Sequence, residues 1–217
     1  MRVHIKTTKN KTPVPFDYQE VLVSTFHKWS RHAISNEIAS YSLSWLQNGR
    51  SLSDSLDFPG GAYWFISFYH EEMGKKLVQG ILESPQIGYG MAAEDVVIQE
   101  TPHFETKETF SVASPILIRK KSDNKTDFVY FDSPEADELM TETLKTKLRK
   151  ENLPDENVSV KFDKTYAQAK IKASIYKGIT NKGSICPIII SGSSEQVSFA
   201  WCVGVGHSTG IGFGALK

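Results

Sequence analysis

The sequence predicts an α+β protein made of two successive sandwiches, and three observations predict it. Strand-like alternation and helix-like periodicity occur in turn over residues 1–106 and then again over residues 107–217. The composition is that of a globular chain of 217 residues, 40% hydrophobic and 11% aromatic, long enough for one large or two compact domains with a real core. The charge shifts between the halves: residues 1–108 carry 10 basic and 13 acidic side chains, residues 109–217 carry 15 and 12. The change falls near Phe104–Thr109, a polar stretch after Pro102, where the domain boundary is expected.

In the first half, Arg2–Thr8 alternates with Val3 and Ile5 on one face and reads as a strand, followed by a turn punctuated by Pro13 and Pro15. From Tyr18 the apolar residues Tyr18, Leu22, Phe26 and Trp29 recur at helical spacing. Beside them runs a polar stripe of Glu20, Ser24, His27 and Arg31. Ala62–Tyr69 is an aromatic-rich strand. His70–Leu82 has Met73, Leu77 and Ile81 on one helical face, although Gly74 and Gly80 weaken a helix. Val96–Gln99 closes the half as a strand.

The second half repeats the theme. Phe110–Arg119 and Phe128–Phe131 read as strands around a lysine-rich turn, Lys120 to Lys125. Ser133-Pro134-Glu135 reads as a helix start, with an N-cap, a proline at the first position and acids in the first turn. That helix ends in Lys147, Arg149 and Lys150, which suit the negative end of its dipole. Val158–Phe162, Ala169–Tyr176 and Ile185–Ile190 are further strands. Ser193–Val203 is open: Val197, Phe199, Trp201 and Val203 alternate as in a strand, while Ser193 and Gln196 have the spacing of a capping box.

The composition excludes collagenous, disulfide-stapled and wholly disordered chains. The apolar runs, such as Ile188–Ile190, fall far short of the ~20 residues that cross a bilayer, and the opening residues read as a strand rather than a signal peptide. Two cysteines, Cys186 and Cys202, suggest a reducing cytoplasm. A formal net charge of zero argues against binding nucleic acid through bulk charge, so any such partner needs a local basic surface.

The most informative stretch is Gly204-Val-Gly206-His207-Ser208-Thr209-Gly210-Ile-Gly212-Phe-Gly214, with glycine at every even position but 208. Such a loop either exposes successive N–H groups that hold phosphate oxygens or makes a tight connection between two elements. Its spacing is not a dinucleotide fingerprint, which needs a following helix and an acid ~20 residues on; only Ala215, Leu216 and Lys217 follow it here. Gly206-His207-Ser208-Thr209-Gly210 is not a nucleophile elbow either, because neither acid nor histidine follows. His70-Glu71-Glu72 lacks a zincin's second histidine, so metal-independent chemistry is expected. His4, His70 and His103 read as structural or solvated; His207 either touches a phosphate or is an exposed loop residue. His27 and His32 cluster with Lys28 and Arg31, a set suited to acid/base work and phosphate neutralisation.

The loop ending in Ser-Thr-Gly-Ile-Gly-Phe-Gly resembles the C-terminal signature of the CRISPR-associated repeat-processing endoribonucleases of the repeat-associated (RAMP) superfamily. Val14-Pro15-Phe16-Asp17-Tyr18-Gln19, Tyr41-Ser42-Leu43-Ser44-Trp45-Leu46, Phe58-Pro59-Gly60, Ser114-Pro115-Ile116 and Cys186-Pro187-Ile188 fall in the family's order. The resemblance implies two tandem ferredoxin-like (RRM-like) domains, each an antiparallel sheet with helices on one face. The first, 1–106, would carry the catalytic histidine region, and the second, 107–217, the glycine-rich RNA-binding loop. It also implies endoribonuclease cutting of precursor transcripts within repeats, with no cofactor or metal. Attack by the ribose 2′-OH leaves a 2′,3′-cyclic phosphate and a 5′-OH. The expected partners are precursor and processed repeat RNA, effector-complex subunits and a second copy of the chain, in a prokaryotic cytoplasm.

That chemistry needs a base, an acid and positive charge. The resemblance places it among His27, Lys28, Arg31, His32 and Tyr41, with His27 and His32 as base and acid in open order and Lys28 or Arg31 assisting. The family pattern puts a histidine about six residues before the Tyr-Ser segment, where this chain has Ser35 and Asn36. Either His32 shifts into place, or His27 carries the reaction, or the chain binds repeat RNA without cutting it. RNA binding is expected from Arg31, Arg119, Lys120, Lys170 and Lys172, with Lys121 and Lys125 beside the same hairpin, and from the loop residues Gly204, Gly206, His207, Ser208, Gly210 and Gly212.

Overall fold

The structure, a computed structural model, describes residues 1–30, 39–122 and 125–217, and at 122 and 125 the backbone alone. The first half runs β1 (Arg2–Thr7), β2 (Val14–Pro15), α1 (Gln19–Trp29), β3 (Tyr41–Leu43), β4 (Arg50–Ser51), β5 (Ser55–Asp57), β6 (Tyr63–Phe68), α2 (Glu71–Glu83) and β7 (Ala93–Gln99). The second runs β8 (Lys107–Phe110), β9 (Ile118–Ser122), β10 (Lys125–Val129), α3 (Ala136–Lys150), β11 (Ser159–Phe162), β12 (Lys170–Tyr176), β13 (Ile179–Ile185), β14 (Ile188–Ser191), α4 (Ser194–Val203) and a 3-10 turn, Thr209–Ile211.

Strand β1 lies between β6 and β7, antiparallel to both, and β3 borders β6, giving the order β3-β6-β1-β7. The chain reaches that order through α1 and α2, the βαββαβ path of a ferredoxin-like sandwich. The expected stripe is the buried one: Tyr18, Leu22, Phe26 and Trp29 pack on Val3, Ile5, Trp64 and Ile66. The glycines that weakened α2 on propensity make its packing possible. A Cβ on Gly80 would sit 2.0 Å from the Trp29 carbonyl oxygen, so close approach to α1 requires glycine there.

The second half has a three-stranded antiparallel sheet, β11-β14-β8, under a core of Met140, Leu144 and Leu148 from α3 with Val197 and Phe199 from α4. Hairpins β9–β10 and β12–β13 extend from it. Two expected strands are each divided at a proline. Phe110–Arg119 becomes β8 and β9, separated by the turn at Ser114-Pro115, and Ile185–Ile190 becomes β13 and β14, separated at Cys186-Pro187. Proline offers no N–H to a ladder. Ser133 does not cap α3, which starts at Ala136 after Glu135 with no side-chain cap. Ser193–Val203 resolves as helix α4, with the Ser193–Gln196 capping box in place.

The two halves are joined by a buried cation. The Arg2 guanidinium lies between the rings of Phe65 and Trp201, 4.0 and 3.7 Å from their centroids. It donates to Ser67 Oγ at 2.7 Å, to the Leu216 carbonyl at 2.7 Å and to that of Trp201 at 3.5 Å. Burial pulls its pKa down to about 9. The Ser114-Pro115 turn ties the halves again: the Trp45 N–H donates to the Ala113 carbonyl at 3.1 Å, and Ser114 Oγ donates to that of Leu43. No helix among the described residues is long and apolar enough to cross a membrane.

Candidate nucleic-acid interface

These ties bring the end of α1, the start of β3 and the glycine loop around one cavity of about 570 Å³. The first half supplies His27, Ala39 and Tyr41; α3 supplies Thr143, Thr146 and Lys147; the β12–β13 hairpin supplies Tyr176 and Lys177. Gly206 to Ile211 complete the wall, and no aspartate or glutamate lines it among the described residues. Described lining residues that include two lysines and two histidines but no carboxylate suit an anion.

His27 is half-buried in the last turn of α1, its ring 5.6 Å from that of Phe26. Tyr41 is packed between Phe26 and Phe68, and burial pushes its hydroxyl up to about 12, so it is a hydrogen-bonding group rather than a base near neutral pH. Gly210 fits closely against it, since a Cβ there would lie 2.8 Å from the Tyr41 hydroxyl. Thr209 Oγ1 donates to the Tyr41 carbonyl at 3.1 Å.

Only part of the glycine loop faces the cavity. Gly204, Gly212 and Gly214 are buried behind it, where Gly214 has φ +63° and a Cβ would lie 1.9 Å from the Val205 carbonyl oxygen. The Gly212 carbonyl accepts from Trp45 Nε1 at 2.7 Å. Gly204 and Gly212 are therefore turn and packing residues here and do not line the cavity. The cavity-facing part is Gly206–Ile211, with Ser208 in the left-handed region at φ +62°. The N–H groups of Ser208, Thr209 and Gly210 have no partner among the described residues.

His207 is fixed from behind. Its backbone N–H donates to the Leu117 carbonyl at 2.7 Å, and the Arg119 N–H donates to His207 Nδ1 at 3.2 Å. Burial, then the Arg119 charge, hold the imidazole below the usual histidine range, so the neutral ring carries its proton on Nε2. Arg119 is half-buried, with Nη2 on Asn181 Oδ1 at 2.8 Å, and stands behind His207 rather than in the cavity wall.

Other expected residues are placed elsewhere. Lys28 Nζ donates to the Gln86 carbonyl at 2.6 Å, outside the cavity lining. Lys120 pairs with Glu135 on the surface, which leaves it a weaker phosphate contact than a solitary lysine. Lys170 and Lys172 are exposed, on the β12 face whose next alternating members are Ser174 and Tyr176. His32, Arg31, Ser35 and Asn36 lie outside the described residues.

Sequence reasoning missed Lys147, Tyr176 and Lys177. Lys147 is 6% exposed and donates to the carbonyls of Val203 and Gly204 at 3.0 and 3.1 Å and to Thr209 Oγ1 at 3.1 Å. It does not serve its own helix dipole, as its position in the last turn implied. The available signal was its place on the Met140, Leu144, Leu148 stripe, where a charge breaks the apolar pattern.

Fold and site define a tandem ferredoxin-like protein of the RAMP type with a cavity between its halves whose described lining suits an anion. Residues 99–217 match the family model described as CRISPR associated protein Cas6, C-terminal. The chain belongs to the Cas6 family. It is 28% identical over 160 residues to a protein of Pyrococcus furiosus named "Putative CRISPR-associated endoribonuclease-like protein Cas6", a match covering 70% of this chain and 66% of that protein, just under two thirds. Its fold is similar to that of a solved Cas6-related protein from P. furiosus (TM-score 0.87, 20% identity, 100% of this chain and 97% of that one). It is equally similar to a structure described as "An RAMP protein binding different RNA substrates" (TM-score 0.87, 18% identity, 100% and 98%).

Proposed function

We propose that this chain is a metal-independent endoribonuclease that cuts CRISPR precursor RNA within its repeats. The ribose 2′-OH attacks the adjacent phosphate, and the products are a 2′,3′-cyclic phosphate and a 5′-OH. The observation that carries the reading is that His27, from the half spanning 1–106, lines the same cavity as Gly206–Ile211, from the half spanning 107–217, with no carboxylate among the described lining residues. In this reading His27 moves the proton, the Ser208–Gly210 N–H groups and Lys147 meet the phosphate charge, and Lys170 and Lys172 follow the RNA along β12. Tyr41 fixes the loop through its carbonyl. The processed RNA would then pass to effector-complex subunits.

The test is incubation of labelled repeat RNA from the chain's own array with protein and EDTA, followed by product analysis. Cyclic-phosphate ends from the wild type, and a loss of about 10²–10⁴-fold in rate for His27→Ala, are expected for a proton-transferring side chain. Wild-type cleavage that survives this substitution unchanged removes His27 from the reaction. A second reading is favoured by the absence of Lys28 from the cavity lining and by Tyr41 staying protonated: the chain then binds and retains repeat RNA uncut. A shifted but intact RNA supports that reading.

A further inference from the structure

Lys147 is a buried amine with no counter-ion among the described residues. All three of its protons go to neutral acceptors, the Val203 and Gly204 carbonyls and Thr209 Oγ1, at 3.0 to 3.1 Å. No aspartate or glutamate pairs with it among the described residues, and none lines the cavity it borders. Taking an ion out of water without an opposite charge is unfavourable, and protein interiors relieve it by neutralisation or by a partner ion. With its three protons engaged, Lys147 can answer an anion in the cavity it lines through its charge rather than through a further hydrogen bond.

We propose that Lys147 is the buried counter-charge for the phosphodiester seated in this cavity, so that anion binding is coupled to proton uptake by the chain. The proposal rests on the RNA reading of the site. It also assigns Lys147 a positioning role, because Thr209, which accepts from Lys147, donates in turn to the Tyr41 carbonyl at 3.1 Å and so ties α3, the loop and β3 together. Burial pulls the free amine down to about 7, so part of the population is neutral at and above neutral pH. A bound phosphate favours the charged form and draws a proton in.

The groups facing Lys147 set the conditions of the test. Thr143 and Thr146 on its own helix do not titrate. His207 from the loop is held low, with the Arg119 charge behind it, while Tyr41 from β3 and Tyr176 from the hairpin are held high and stay neutral. Lys177 from the hairpin turn and His27 from α1 remain in a Lys147→Met variant, so any protons they exchange are common to both proteins.

The probe is the repeat RNA of the chain's own array, fluorescein-labelled and 2′-O-methylated at every ribose so that it cannot be cut. Affinity is measured at fixed ionic strength between pH 7.5 and 9. Lys147 should add up to about tenfold per pH unit, the limit for one proton, to the rise of the wild-type Kd, so that the Lys147→Met profile is flatter by that amount. Parallel profiles overturn the inference and leave the RNA reading standing, whereas wild-type protein that binds at no pH overturns both. If Lys147→Met does not fold, calorimetry of the wild type at pH 8 in two buffers of different ionisation enthalpy decides. Uptake of close to one proton supports the inference, and equal heats overturn it.

Discussion

Under the proposed RNA reading the two ends of the His207 imidazole have two jobs, and two amide substitutions separate them. Its Nδ1 accepts from the Arg119 N–H at 3.2 Å and fixes the loop, while the neutral ring leaves Nε2–H as the donor for a ligand in the cavity it lines. In His207→Asn the amide oxygen takes the place of Nδ1, so the loop bond stays and the far donor is lost. In His207→Gln the amide nitrogen reaches the place of Nε2, so the donor stays and the Arg119 N–H loses its acceptor. One hydrogen bond to a charged phosphate is worth about 1.5–3 kcal/mol, so His207→Asn should bind and cut repeat RNA roughly 10- to 150-fold less well with its melting temperature nearly unchanged. An unpaired, partly buried N–H costs about 1–3 kcal/mol, so His207→Gln should keep RNA function and melt about 2–12 °C lower. The assays are calorimetric melting and filter binding. The pH dependence follows with the same sign, because His207 is held below the usual 6.5 mainly by burial. Its share of stability is present above 6.5 and is lost as pH falls through the folded value, since the unfolded chain binds the proton first. His207→Asn should lack that part of the acid destabilisation. An Asn variant that binds RNA like the wild type beside an impaired Gln variant would refute the assignment of Nε2–H to the ligand.

Gly214→Ala places a Cβ 1.9 Å from the Val205 carbonyl oxygen at φ +63°, and should lower stability by at least about 2 kcal/mol in a denaturant titration; an unchanged midpoint would contradict the packing described for the loop. Lys170→Ala combined with Lys172→Ala should reduce the slope of log affinity against log salt by about 1.4 for single-stranded RNA if both meet phosphates. An unaltered slope would show that RNA does not follow β12.

What could be read in the sequence, and what could not, divides along one physical line. Helix α1 was legible because one face is buried and the other solvated, so Tyr18, Leu22, Phe26 and Trp29 stand out at helical period. His27 stood out by clustering with Lys28, Arg31 and His32, the glycine loop by its composition, and Tyr41 only through the family resemblance. Helix α4 was not legible, because Gln196, Val197 and the five consecutive residues Phe199 to Val203 are all buried, and a helix buried on nearly every side has little period to read; its Ser193–Gln196 cap was the remaining clue. That same burial removes solvent from the C-terminal carbonyls of α4, which have no partner within their own helix. They need a donor from elsewhere in the chain, and Lys147, 56 and 57 residues away, supplies it to Val203 and Gly204. The ambiguous helix and the overlooked lysine are therefore one fact. Burying the C-terminal carbonyls of α4 required a donor from outside the helix, and the amine that supplies it also lines the cavity where an anion is expected.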